Sequence, residues 1–97
     1  MKKEKLKITE SCGNVFLDLG FSQEEATILA MRAQLMGELR IKIRDMEWTQ
    51  TKAAQVLGIS QSRVSDLICG KWDKFSLDML ITLATRAGKK VELKLAA

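Results

Sequence analysis

The chain has 97 residues, 46% hydrophobic and 29% charged, with no proline. That is room for one domain with its own apolar core and the composition of a helical globular protein, which excludes a disordered, fibrous or two-domain chain. Sixteen basic against twelve acidic side chains leave a formal charge of +4, a mild attraction for polyanions that plain solubility explains equally well, and the absence of histidine and of any CxxC pair excludes a zinc set.

Residues 1–11 mix lysines with a few apolar side chains and have no periodic face, which predicts a mobile arm, either touching phosphates or simply solvated. The lysines are not followed by the apolar stretch of a secretory signal, and no run approaches the length of a membrane span. A cytoplasmic protein is expected, with Cys12 and Cys69 as free thiols and with no metal or other cofactor. Residues 12–20 are a short apolar segment bracketed by Gly13 and Gly20, expected to pack in extended form against a helical body. Residues 1–21 are thus read as arm and packing segment, and residues 22–97 as the domain.

Ser22-Gln23-Glu24-Glu25 is a capping box: the serine oxygen accepts from the N3 amide while Glu25 reaches back to the cap amide. A long helix follows to about Met46, with Ile28, Leu35, Leu39, Ile43 and Met46 as its core-facing stripe. Such a helix is on the order of 35–40 Å long, more than one side of a small core covers, so its first half is expected to serve a partner. Thr49 caps a second helix ending at Gly58, and Ser60 caps a third ending at Gly70. Ser76 caps a fourth, with Asp78 in its first turn, Phe75 stapled onto Leu80, and Gly88 as its stop. Lys90-Val91-Glu92-Leu93-Lys94-Leu95 alternates with the period of a strand. A lone strand is not stable in water, so it is expected to pair with residues 15–19 or with a second copy of the chain.

Residues 49–69 hold the pattern that carries function. Ala53 and Ala54 let the second helix approach the third closely, Gly58 supplies a left-handed turn, and Leu57, Ile59, Val64 and Leu67 fill the space between them. The pattern is that of a helix-turn-helix, and Thr49-Gln50, Ala54, Gly58, Ser60-Gln61, Val64, Leu67 and Gly70-Lys71 resemble the Cro and lambda-repressor-like, or Xre, family. The resemblance implies a mostly all-α bundle of about four helices, to which the reading above adds a long first helix and a short C-terminal β-strand. It also implies double-stranded DNA as partner, with Gln50 anchoring a phosphate and Gln61 touching base edges in the major groove.

Helical geometry gives a second view of the third helix. Burying Val64, Leu67 and Ile68 turns Ser62, Asp66 and Cys69 to the opposite face, with Arg63 and Ser65 on its flanks. Glutamine pairs bidentately with adenine and serine serves several bases, so Gln61 and Ser62 lead the base-reading candidates, with Ser65 and Asp66 behind them. Gln61 is alternatively a solvated helix start. Arg63 either reaches a phosphate or pairs with Asp66 three residues on; a carboxylate at this position departs from the family's habit and needs such a partner, or cytosine N4, to tolerate DNA. Lys71 and Lys74 are placed to clamp the backbone beside the groove. Trp48 and Trp72 are read as rings sealing the core beside helix ends rather than as stacking platforms, and Cys69 as a small filler.

One such module touches few base pairs, so a homodimer is expected, its reading helices roughly 34 Å apart on an inverted repeat. Ile28, Leu29, Val91, Leu93 and Leu95 are the candidate dimer or partner surface. The wider layout, from Gly13-Asn14-Val15-Phe16-Leu17-Asp18-Leu19-Gly20 through Phe75-Ser76-Leu77-Asp78 to the terminal strand, resembles the HigA-type antitoxins. That implies a repressor of its own operon and a small ribonuclease toxin as a second partner. Catalysis is not expected, since no acid–base pair, nucleophile set or phosphate-binding glycine loop is present. The rival reading is a protein-interaction module that neutralises such a toxin with little DNA binding of its own.

Overall fold

In the computed structural model residues 16–96 are described, and the expectations for the arm at residues 1–11 and for Cys12 lie outside them. Helix α1 is Gln23–Asp45, α2 Gln50–Leu57, α3 Gln61–Ile68 and α4 Leu77–Arg86, with a 3-10 turn at Trp72–Lys74. The 23 residues of α1 make a rod of about 34 Å against which α3, α4 and the 3-10 turn pack, while α2 packs on α3 and α4.

Each helix begins where a side-chain oxygen meets an orphan amide. Ser22 accepts from the Glu25 N–H at 3.2 Å while the Ser22 N–H donates to Glu25 Oε1 at 3.2 Å, completing the capping box. Thr49, Ser60 and Ser76 accept from the N–H groups of Lys52, Arg63 and Met79 at 3.1, 3.2 and 3.2 Å. At the end of α1 the chain turns on Glu47, whose φ of 56° is unusual for a residue with a side chain. The Trp48 N–H donates to Ile43 O and the Glu47 N–H to Arg44 O, a Schellman closure made without glycine.

The main core gathers Leu35, Met36, Leu39 and Ile43 of α1, Ala53 and Leu57 of α2, Val64 and Leu67 of α3, Phe75, and Leu80, Leu83 and Ala84 of α4. A second cluster, Phe16, Ala26, Leu29 and Ala30, covers the N-terminal half of α1, with Phe21 and Trp72 packed against it. Trp72 touches both clusters and meets Phe16 and Phe21 edge-on at 6.1 and 6.5 Å between ring centroids. Trp48 packs against the main core. Both tryptophans therefore seal apolar contacts beside helix ends.

Several expectations need correction. Residues 16–18 are helical rather than extended, since the turn swings Phe16 onto α1 while the Phe21 N–H closes back on Phe16 O. Residues 90–95 are not a strand; no strand occurs among the described residues. Val91 folds back onto the main core, and Leu93 and Leu95 are 72% and 90% exposed. Between α3 and α4, Trp72–Lys74 close a 3-10 turn in which the Phe75 N–H donates to Trp72 O. On α1, Ile28 and Met46 leave the core stripe, at 42% and 51% exposure, and Ala26, Leu29, Ala30 and Met36 enter it. Ile28 lies about 20° from Leu35 in rotation but two turns nearer the N-terminus, outside both packed clusters.

Candidate nucleic-acid interface

The two short helices α2 and α3 meet across a wall that excludes water completely: Ala53, Leu57, Val64 and Leu67 are each 0% exposed. Ala54 is half-buried at the contact, and its carbonyl accepts from the N–H groups of Gly58 and Ile59 at 2.8 and 3.1 Å, which ends α2. Gly58 takes φ 72°, ψ 34°, the left-handed backbone expected of it. A second reason for glycine is spatial. A Cβ built there would stand 2.8 Å from Arg86 Nη1, the same nitrogen that donates to Leu57 O at 2.8 Å. Arg86 thus reaches from α4 to cap the C-terminus of α2. Sequence reasoning passed over Arg86, because nothing local marks a contact spanning 29 residues.

Of the base-reading candidates, Gln61 and Ser62 are exposed at the N-terminal tip of α3, and Ser65 and Asp66 are half-buried further along. Gln61 is not merely solvated: its Nε2 donates to Thr51 Oγ1 at 3.1 Å, joining the first turns of α3 and α2. Thr51 is a residue that sequence reasoning missed; its place in the first turn of α2, beside Gln50, was the available signal. Gln50 itself opens α2, exposed, and makes no side-chain hydrogen bond among the described residues.

Arg63, Asp66 and Lys71 come together. Arg63 Nη1 stands 3.4 Å and Lys71 Nζ 3.8 Å from the two Asp66 oxygens. Both cations are about half exposed, so these pairs add little stability. Their effect is positional, since they hold two cations beside α3 and leave the carboxylate locally compensated. Lys74 is exposed in the 3-10 turn and is not drawn into this group. Ile68 was expected inside but is 41% exposed, while Val64 and Leu67 fill the buried face without it. Cys69 is an exposed free thiol at the C-cap of α3 rather than a filler. Of the proposed partner surface, Ile28, Leu93 and Leu95 are exposed and Val91 is half-buried, whereas Leu29 is turned into its own chain.

Among the described residues no three potential metal ligands gather, and no helix is long and apolar enough to cross a membrane. Two capped helices joined through an αL glycine, the second presenting its first turn to solvent, define a helix-turn-helix domain of the DNA-binding class. Comparison with protein families agrees. The chain belongs to the family described as helix-turn-helix domain, whose model matches residues 15–96 and so takes in α1, α4 and the C-terminal tail as well as the motif. No curated protein matches the chain at a significant level.

Proposed function

We propose that the chain is a sequence-specific transcriptional regulator of the cytoplasm, a repressor that binds an inverted-repeat operator as a homodimer and lays the first turn of α3 in the major groove. The observation that carries this reading is the exposed tip of α3, where Gln61 is held against Thr51 with Ser62 beside it. Gln61 and Ser62 read bases, Ser65 stands next along the face, and Asp66 acts mainly by holding Arg63 and Lys71. Gln50, Arg63, Lys71 and Lys74 grip phosphates on either side.

The dimer is supported by a groove of about 310 Å³ between α1, α4 and the tail, lined by Met31, Leu35, Leu77, Ile81, Val91 and Leu93 among others, with Leu95 at its edge. A second copy buries this apolar surface and doubles the number of base pairs read. The resemblance of residues 13–20 and 75–78 to the layout of HigA-type antitoxins, without its terminal strand, extends the reading to autorepression and neutralisation of a small ribonuclease toxin. The toxin-facing surface is then the N-terminal half of α1, where Ile28 edges a hollow of about 240 Å³ lined also by Phe21, Glu25, Arg32 and Trp72. An interaction module without DNA binding would leave the cations around α3 and the Gln61–Thr51 contact without a use.

One titration tests the reading. Duplex carrying the preferred site is added at roughly 50 and 200 mM salt to the wild type and to Gln61→Ala. Affinity is expected to fall steeply with salt, two chains to bind each inverted repeat, and the substitution to cost about 1–3 kcal/mol on the preferred site while nonspecific binding survives. Salt-insensitive binding, or no binding, contradicts it.

A further inference from the structure

Thr51 differs from the other helical threonines of this chain in what its hydroxyl does. Thr27, Thr82 and Thr85 each donate their proton to the carbonyl four residues back, on Gln23, Asp78 and Ile81, at 2.9 Å. Thr51 sits at the second position of α2, so residue 47 lies outside the helix and no such acceptor is in line. Its oxygen instead accepts from Gln61 Nε2 at 3.1 Å. Among the described residues nothing accepts the Thr51 proton, and the side chain is exposed.

The amide of Gln61 has two N–H donors and one acceptor oxygen. The contact with Thr51 uses one donor. It leaves a second N–H and Oε1, which are the donor and acceptor that adenine N7 and N6 require. The cost to base recognition is therefore nil in hydrogen bonds, and the gain is that a flexible side chain surrenders its rotamer freedom before any duplex arrives.

We propose that Thr51 is the positioning residue for Gln61, and that its free hydroxyl proton goes to a DNA phosphate oxygen. A single hydroxyl then ties the register of the protein on the backbone to the orientation of the side chain that reads a base. The inference rests on the reading of α3 as the DNA-facing helix, and its test is arranged so that the two fail differently.

Wild type, Thr51→Val and Thr51→Ser are compared on a duplex selected by the wild type from a randomised pool and on a scrambled duplex, each variant also in a Gln61→Ala background. The side-chain amide signals of Gln61 are followed by NMR in the free proteins. Thr51→Val, which keeps the shape and loses the hydroxyl, is expected to shift the Gln61 amide signals and to reduce the preference for the selected duplex roughly 3- to 10-fold. Thr51→Ser is expected to restore both. With Gln61→Ala already present, Thr51→Val should lower affinity for both duplexes alike and leave the preference unchanged. An unchanged preference in Thr51→Val, or an equal loss of preference in the Gln61→Ala background, overturns the inference while leaving the regulator reading standing. A wild type that prefers no duplex overturns that reading, and the inference with it.

Discussion

Gly58 carries two constraints at once, a backbone of φ 72° and the guanidinium of Arg86 where a Cβ would stand. Alanine there takes a left-handed strain of about 1–2 kcal/mol and displaces a hydrogen-bonded nitrogen worth about 1 kcal/mol more. Gly58→Ala should therefore lose about 2–3 kcal/mol, read as a lower urea midpoint with an unchanged slope. A loss under half a kcal/mol would mean that the turn is not held as described. The first constraint is legible in the sequence, because a glycine between two cap residues announces a turn. The second is not, since Arg86 lies 29 residues from Leu57 and is brought there only by the packing of α4. The same limit explains Ile28 and Leu29. Periodicity gives the angle at which a side chain leaves the helix, but which neighbour stands opposite decides burial, and Phe16 covers Leu29 while Ile28 stays outside both clusters.

At the scale of elements, the caps made the helices readable. Ser22, Thr49, Ser60 and Ser76 all cap as their sequence positions imply, and α1, α2, α3 and α4 start one residue after them. Helix α4 adds a charge to its cap. A hydrogen bond from Ser76, with help from backbone N–H groups and the nearby Arg32, holds the Asp78 carboxyl below its ordinary value. A carboxyl so lowered in the folded chain contributes stability above its unfolded value of about 3.9 and loses it as pH falls through the folded value. Asp78→Asn should therefore unfold at a lower temperature than wild type at neutral pH and at the same temperature in strong acid. A difference that persists in strong acid, where the carboxyl is protonated in both states, would place the effect elsewhere. The tail failed as a strand for a reason also visible at this scale. Alternation in residues 90–95 satisfies the period of a strand, but a strand needs a neighbour to accept its amides, and no second strand occurs among the described residues.

Taken as a whole, the molecule sets different surfaces at different places along one long helix. The C-terminal half of α1 anchors α3 and α4, on which α2 packs in turn, leaving the tip of α3 in the open. Its N-terminal half carries the aromatic cluster, and an apolar groove with Leu93 at its wall lies between α1, α4 and the tail. The helix-turn-helix was legible because small, apolar and glycine positions recur at a spacing that only close packing of two helices explains. The contacts that organise its exposed face, Thr51 with Gln61 and Asp66 with Arg63 and Lys71, were only partly legible, since an ion pair three residues apart follows from helix geometry and a bond between helices does not.

The most direct measurement is the movement of backbone amide signals as a selected duplex is added to the labelled protein. The account predicts the largest changes in residues 49–52, 60–66 and 71–74, with α4 nearly still. Changes concentrated instead in residues 23–35 or 90–95, with the start of α3 unmoved, would contradict it.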